Sequence, residues 1–227
     1  AKKLFSRAVA IDPSHRGARA KLGIVHAKLG DFAAAEVTFA RLVRLDPRDA
    51  VARKQHGAAL RDLGRFPEAR QELERALELA PDYADAYHAL GILAAKEGNL
   101  DLALEMYQAA VEIDPRHADA LNQVGVILGR RGETVKAREW FQAAVAAKPD
   151  YATARFNLAR SEMRLGRHDL AIPELERVLA IEPRHHRAHG ELAKCFDAAS
   201  QPEKAARERA AQLEVKETAP PAPDASE

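Results

Sequence analysis

Few side chains in this sequence are placed where they could carry out chemistry. His185, His186 and His189 form the densest group of metal-ligating residues, and the last two are three residues apart, which puts both on one face of a helix. Spacing fixes no carboxylate beside them, although Glu182 is near, so a solvated histidine run flanked by arginines is favoured over a metal site. Cys195, the only cysteine, is expected to face inward as a small buried hydrophobe rather than to act as a nucleophile.

The sequence lacks the motifs of common catalytic sites. It has no Gly-x-x-x-x-Gly-Lys loop for phosphates, no His-Glu-x-x-His pair and no Gly-x-Ser-x-Gly elbow. Trp140 and Phe141 fit a packing position rather than a platform for stacked bases. A net charge of +1 argues against a nucleic-acid partner, and no apolar run approaches the roughly 18 residues of a membrane span. We therefore predict a non-enzymatic protein without cofactor, metal, nucleic-acid partner or membrane insertion.

A repeat of 34 residues organises the chain. Prolines recur at this step at Pro13, Pro47, Pro81, Pro115, Pro149 and Pro183. Glycines recur at Gly30, Gly64, Gly98, Gly132 and Gly166, with Ser200 in the next position. A second glycine series runs through Gly23, Gly57, Gly91 and Gly125, and an alanine series includes Ala35, Ala69, Ala103, Ala137, Ala171 and Ala205. Because proline and left-handed glycine both end helices, each repeat should be a pair of helices. The Gly91 and Ala103 series should mark the close contact between the two helices.

This pattern resembles the tetratricopeptide repeat, whose signature positions in 84–117 hold Tyr87, Leu90, Gly91, Ala94, Ala103, Tyr107, Ala110 and Pro115. The resemblance implies an all-α fold, a right-handed α-α superhelix of antiparallel helix hairpins. We expect a repeat domain over 1–217, with a half repeat at 1–15 and full repeats at 16–49, 50–83, 84–117, 118–151 and 152–185. A degenerate capping repeat should follow at 186–217, and the Pro/Ala-rich tail 218–227 should be disordered.

In this family the first helix of each hairpin lines a concave groove that typically holds an extended peptide or a short helix. The resemblance assigns these groove residues: Lys21, Ile24, Lys28, Lys54, Arg61, His88, Ile92, Lys96, Asn122, Val126, Arg130, Phe156, Asn157, Arg160 and Arg164. Ile92, Val126 and Phe156 are the expected apolar anchors. All charged groove positions together hold ten basic and five acidic residues, which suits a partner with acidic and apolar residues. Ordinary charge scatter on a solvated helix face is the open alternative.

Two specialised groove chemistries of the family are not matched. The clamp that holds a C-terminal carboxylate in chaperone-binding members would start here at Lys54, but the following positions hold Ala58, Ala89, Asp119 and Gln123. The asparagine ladder of members joined to sugar-transferring enzymes would need an asparagine at the sixth position of each repeat, and only Asn157 supplies one.

The sequence thus predicts a protein-interaction scaffold that binds a partner segment in its groove. Two alternatives stay open: the recognition arm of a longer enzyme, and a scaffold that self-associates through the N-terminal half repeat. The chain begins Ala1-Lys2-Lys3 without a methionine, so we expect that its natural start is missing. A cytoplasmic location is favoured, and an exported one stays open for the same reason.

Overall fold

A computed structural model describes residues 1–217, so the tail predicted to be disordered, 218–227, lies outside the described residues. The described part is all-helical, as the repeat predicts, with thirteen α-helices. It divides into two compact units, Ala1–Pro115 and a second that starts at Arg116. The N-terminal unit contains α1 (Lys2–Ile11), α2 (Arg16–Lys28), α3 (Phe32–Leu45), α4 (Ala50–Asp62), α5 (Phe66–Leu79), α6 (Ala84–Lys96) and α7 (Leu100–Ile113). The C-terminal unit contains α8 (Ala118–Arg130), α9 (Thr134–Ala147), α10 (Ala152–Arg164), α11 (His168–Ile181), α12 (His186–Ala198) and α13 (Pro202–Glu217).

The first helix of each hairpin ends where the glycine series predicts. Gly30, Gly64, Gly98, Gly132 and Gly166 all have φ between +75° and +84°. A residue without a Cβ adopts this left-handed conformation most easily, and it stops the helix. Ser200, which takes the same position after α12, has a φ of 56°. The backbone thus keeps the turn there although the residue type has changed.

Several helices begin at a side chain that caps them. Asp31 and Asp49 accept a hydrogen bond from the backbone N–H three residues further on, as aspartate commonly does. His15, His117 and His185 perform the same task through Nδ1, at 3.3, 3.1 and 3.0 Å from the capped nitrogen. A ring nitrogen that accepts an N–H must carry a free lone pair, so these caps require an unprotonated Nδ1.

The two helices of a hairpin meet at the second glycine series. A Cβ placed on Gly91 would lie 2.5 Å from the ring of Tyr107, and one on Gly125 would lie 2.7 Å from the ring of Phe141. The predicted close contact at the glycines is confirmed, but its partner is the large residue of the second helix. Ala103, the expected partner, is buried nearby without being the closest group.

Apolar faces are buried by stacking adjacent hairpins. In the N-terminal unit, Phe39 and Leu42 of α3 share a buried cluster with Ala59 of α4. In the C-terminal unit, Leu175 of α11 shares one with Leu192 of α12. Each hairpin therefore hides its apolar side against a neighbour, as expected of a repeat protein.

An ion pair takes the place of Tyr87, the first signature residue of 84–117, in two other hairpins. Arg53 donates from Nε to the carbonyl oxygen of Pro47 at 2.9 Å and binds Glu72 of the second helix at 2.8 Å. Arg155 contacts Pro149 and Glu174 in the same way, at 2.6 and 2.5 Å. The arginine side chain thus joins both helices of its hairpin to the preceding loop.

Candidate functional site

The predicted groove residues all lie on the first helices of hairpins, but they differ in accessibility. Lys21, Ile24, Lys28, Lys96, Arg130 and Arg164 are exposed. Lys54, Arg61, His88, Ile92, Val126, Asn157 and Arg160 are half-buried, and Asn122 and Phe156 are buried.

Most basic groove residues of the N-terminal unit are neutralised by neighbours. Lys54 lies 3.4 Å from Asp85, and Arg61 lies 2.9 Å from Asp62. Lys96 also approaches Asp62, at 3.9 Å. These pairs join charges of the same row of helices, whereas Lys21 and Lys28 have no carboxylate within ion-pair distance among residues 1–217.

The N-terminal unit instead presents an apolar cleft of about 460 Å³, lined by Ala20, Ile24, Leu42, Val51 and Ala52. Val51 is 55% exposed and Ile24 is 38% exposed. The rim carries Arg16 and Asp49, which bind each other at 2.5 Å and so bring no net charge. Ile24 was assigned to the groove from the sequence, whereas Val51 was missed. Val51 is the second residue of the repeat 50–83, and the second residue of each repeat faces the groove in this family. This position could have identified Val51 from the sequence.

The cleft of the C-terminal unit is lined by arginines rather than mainly by apolar side chains. Arg130, Arg160 and Arg164 line a cleft of about 220 Å³ together with Val126, Asn157 and Ser161. Among residues 116–217, no carboxylate oxygen lies within ion-pair distance of any of these three arginines, or of Arg187 on α12. We call Arg130, Arg160, Arg164 and Arg187 the arginine face.

The acidic groove residues of the C-terminal unit are all engaged elsewhere. Glu191 binds Lys194 at 3.1 Å, and Asp197 binds Arg209 at 2.6 Å. Burial and a hydrogen bond to Asp119 together raise the pKa of the Tyr151 hydroxyl. The positive charge of the arginine face is therefore not compensated by the carboxylates of its own surface.

Phe156 is not the exposed apolar anchor that the sequence predicts. Its side chain is 6% exposed and packs in the core with Leu175 and Leu192. The guanidinium groups of Arg160 and Arg187 lie 5.9 and 5.4 Å from the ring centroid. The ring of Phe156 thus holds Arg160 and Arg187 in place through cation–π contacts, and these two side chains cover the ring.

Asn122 also faces inward rather than into an open groove. It is 4% exposed, and its Oδ1 accepts a hydrogen bond from Nδ2 of Asn157 at 3.0 Å. A buried amide needs such a partner, because an unpaired one would lose its hydrogen bonds to water. The two asparagines therefore link α8 to α10, which accounts for Asn122 by packing and not by ligand contact.

The histidine run is divided among separate structural roles. His185 caps α12, and its neighbour His186 is exposed. His189 contacts Glu208 through Nδ1 at 2.6 Å and the carbonyl oxygen of Pro183 through Nε2 at 3.1 Å. Within residues 1–217, no cluster of three or more histidine, cysteine or acidic side chains has a geometry suited to a metal ion.

Cys195 is buried in the core of the C-terminal unit, as its predicted inward position requires. Burial raises the pKa of its thiol to about 11, so the reactive thiolate is rare at neutral pH. None of the helices described here combines the length and apolar character required to cross a bilayer.

The comparisons with known proteins agree with this architecture. Three family models described as tetratricopeptide repeat match residues 48–116, residues 88–152 and 156–223, and residues 1–55. The crystal structure of MamA is similar at 25% identity, with 71% of this chain and 94% of that chain covered and a TM-score of 0.64. The Cut9 and Hcn1 hetero-tetramer of the APC/C matches at 21% identity, 95% and 43% coverage and a TM-score of 0.76. YrrB matches at 23% identity, with 83% of this chain and 97% of that chain covered and a TM-score of 0.53.

No curated protein sequence matches. The chain belongs to the tetratricopeptide repeat family.

Proposed function

We propose that this chain binds an acidic segment of a partner protein on the arginine face. Tetratricopeptide repeats are in general non-enzymatic scaffolds for protein interactions, and this coarser function follows from the family. The observation that supports the finer proposal is the charge imbalance of the C-terminal unit. Its groove carboxylates are paired, while four arginines on α8, α10 and α12 have no carboxylate partner among the described residues.

An uncompensated row of guanidinium groups favours a negatively charged partner for two reasons. It attracts acidic segments over several ångströms, which raises the association rate at low salt. Each guanidinium can also bind a carboxylate through two parallel hydrogen bonds, which fixes the orientation of the bound segment. Paired charges, such as Lys54 with Asp85 in the N-terminal unit, would first have to be separated.

Apolar contact is available in the N-terminal unit. Its cleft of about 460 Å³, lined by Ile24 and Val51, is apolar and open enough to take aliphatic side chains. An apolar segment of a partner would suit this cleft by itself, and an acidic segment would suit the arginine face. The YrrB structure, described as a TPR protein with an unusual peptide-binding site, supports a peptide ligand only at the level of the fold.

Selection from a library of random twelve-residue peptides tests the proposal. We expect the selected peptides to be enriched in aspartate and glutamate. The triple variant Arg130→Gln, Arg160→Gln, Arg164→Gln should bind them at least about tenfold more weakly, because charge-assisted hydrogen bonds are lost.

The matched control is the double variant Lys21→Gln, Lys28→Gln, which also removes exposed positive charge from first-helix positions, but in the other unit. It should bind within about twofold of the original chain. Selected peptides without acidic enrichment, or equal binding by the triple variant, would refute the proposal. Circular dichroism of each variant confirms that its helices remain.

A further inference from the structure

We infer that the cleft lined by Arg130, Arg160 and Arg164 binds a phosphorylated side chain of the partner segment in preference to a carboxylate. This inference rests on the proposed function and specifies its ligand. The ligand chemistry is a phosphomonoester dianion carried by a peptide.

The first argument is charge. Three guanidinium groups line one cleft of about 220 Å³, and the part of it described here includes no acidic side chain. A single carboxylate offers two oxygens and one negative charge, which would leave much of this positive charge unmatched. A phosphomonoester carries about −1.5 to −2 at neutral pH and three acceptor oxygens, so it can engage more than one guanidinium. Arginine is well suited to this because its planar donors match phosphate geometry.

The second argument is size. Sites for whole small molecules usually enclose about 300–1,000 Å³. The cleft is smaller, at about 220 Å³, and Val126 and Phe141 form part of its wall. It therefore fits the end of one side chain better than a complete cofactor or nucleotide.

The third argument is the arrangement of the arginines before a ligand binds. Arg160 is held over the buried ring of Phe156, 5.9 Å from its centroid. Arg164 donates from a terminal nitrogen to the carbonyl oxygen of Gly129 at 3.5 Å, across from α10 to α8. Side chains restrained in this way lose less conformational entropy when they bind an anion.

The remaining polar side chains of the cleft already have partners. Asn157 donates to Asn122, and the hydroxyl of Ser161 donates to the backbone carbonyl of Asn157 at 3.0 Å. The hydroxyl of Thr134 donates to the backbone carbonyl of Gly132 at 3.5 Å. They do not supply negative charge, and their hydrogen bonds need not be broken for an anion to reach the guanidinium groups. Recognition therefore depends on the three arginines.

The test uses three small probes: the N-acetyl N-methylamides of phosphoserine, glutamate and serine. Their binding is followed by NMR titration of the arginine Nε–H signals. We expect the phosphoserine probe to bind at least about tenfold more tightly than the glutamate probe, and the serine probe to show no saturation. The double variant Arg160→Gln, Arg164→Gln should weaken phosphoserine binding by at least about tenfold.

Two further variants protect the test against simple loss of packing. Arg130→Gln removes an exposed side chain and should weaken phosphoserine binding without lowering the melting temperature. Lys21→Gln with Lys28→Gln should leave it within about twofold. Equal binding of the phosphoserine and glutamate probes would overturn this inference while the proposed function stands. Phosphoserine binding that survives all three arginine substitutions would also overturn it.

A single-stranded oligouridine of twelve nucleotides is the last probe, because nucleic acid also presents phosphate. Tighter arginine-dependent binding of this oligonucleotide than of the phosphoserine probe would overturn the inference in favour of a nucleic-acid partner. The peptide selection remains the separate test of the proposed function.

Discussion

The contact between Gly91 and Tyr107 provides a sharp test of how the hairpins are packed. A Cβ at Gly91 would lie 2.5 Å from two carbon atoms of the Tyr107 ring, about 0.9 Å inside the 3.4 Å of ordinary contact. Tyr107 is 2% exposed, so the ring has little room to move away. Overpacking of this kind costs roughly 1–3 kcal/mol. The better helix propensity of alanine returns only about 0.5–1 kcal/mol.

We therefore expect Gly91→Ala to lower the free energy of unfolding by roughly 1 kcal/mol and Gly91→Leu to lower it further. The matched control is Gly129→Ala, another glycine within a helix, whose Cβ would meet Ala137 at an ordinary 3.6 Å. It should raise the free energy of unfolding by about 0.5 kcal/mol through propensity alone. Urea unfolding followed by circular dichroism measures all three variants.

A second site substitution separates the contact from other effects. In a Tyr107→Ala background, which lacks the ring, Gly91→Ala should no longer lower the free energy of unfolding, because the ring of Tyr107 supplies the three atoms nearest to the added Cβ. A Gly91→Ala variant as stable as the original chain, or a Gly129→Ala variant destabilised equally, would show that the described packing is wrong.

Three further predictions concern stability and assembly. Burial lowers the pKa of His56, but the ion pairs with Glu72 and Glu36 outweigh this effect and raise the pKa overall. The stabilisation that protonated His56 provides is therefore present at low pH and is lost as the pH rises through the pKa of the folded state. His56→Gln should accordingly destabilise the chain more at about pH 5.5 than at about pH 8.5 in chemical unfolding, and an equal loss would contradict the pairing. Ser200→Gly should raise the free energy of unfolding by about 0.5–1 kcal/mol, because a left-handed φ of 56° strains a residue that has a Cβ. A lower free energy of unfolding in this variant would show that serine is unstrained there. Self-association through the N-terminal half repeat stays a prediction. Light scattering should show a mass that grows with concentration, and Leu4→Glu, which changes an exposed apolar side chain, should restore the monomer mass. A constant monomer mass of the original chain would exclude self-association.

The helices and their ends could be predicted from the sequence because they depend on local chemistry. Proline and left-handed glycine act on their own backbone, so the series that contain Pro81 and Gly98 give the limits of the helices directly. The contact of Gly91 with the second helix was predictable for the same reason, since only glycine tolerates so close a neighbour.

The candidate site was less predictable because it depends on contacts between distant residues. Lys54 and Arg160 occupy equally basic groove positions in the sequence, yet Lys54 meets Asp85, which lies 31 residues further on, and Arg160 meets a ring instead. Phe156 was assigned to the groove by its position, whereas the side chains of Arg160 and Arg187 cover it in the structure. Which charges remain free is thus decided by side-chain packing between hairpins.

Histidine caps were another feature that residue type alone did not reveal. His15, His117 and His185 stand where Asp49 stands in another repeat. Aspartate at this position signals a cap, but histidine is less common there, and His185 was interpreted as part of a solvated histidine run. The shared repeat position was the available signal, because all four residues precede the first helix of a hairpin by one residue.

Amide hydrogen exchange with and without a selected acidic peptide tests the central claim most directly. If the arginine face is the binding surface, the peptide should slow exchange in Ala118–Arg130 and Ala152–Arg164, the helices that carry Arg130, Arg160 and Arg164. Protection confined to Thr134–Ala147 and His168–Ile181, the second helices of the same hairpins, would place the partner on a different surface and contradict the account.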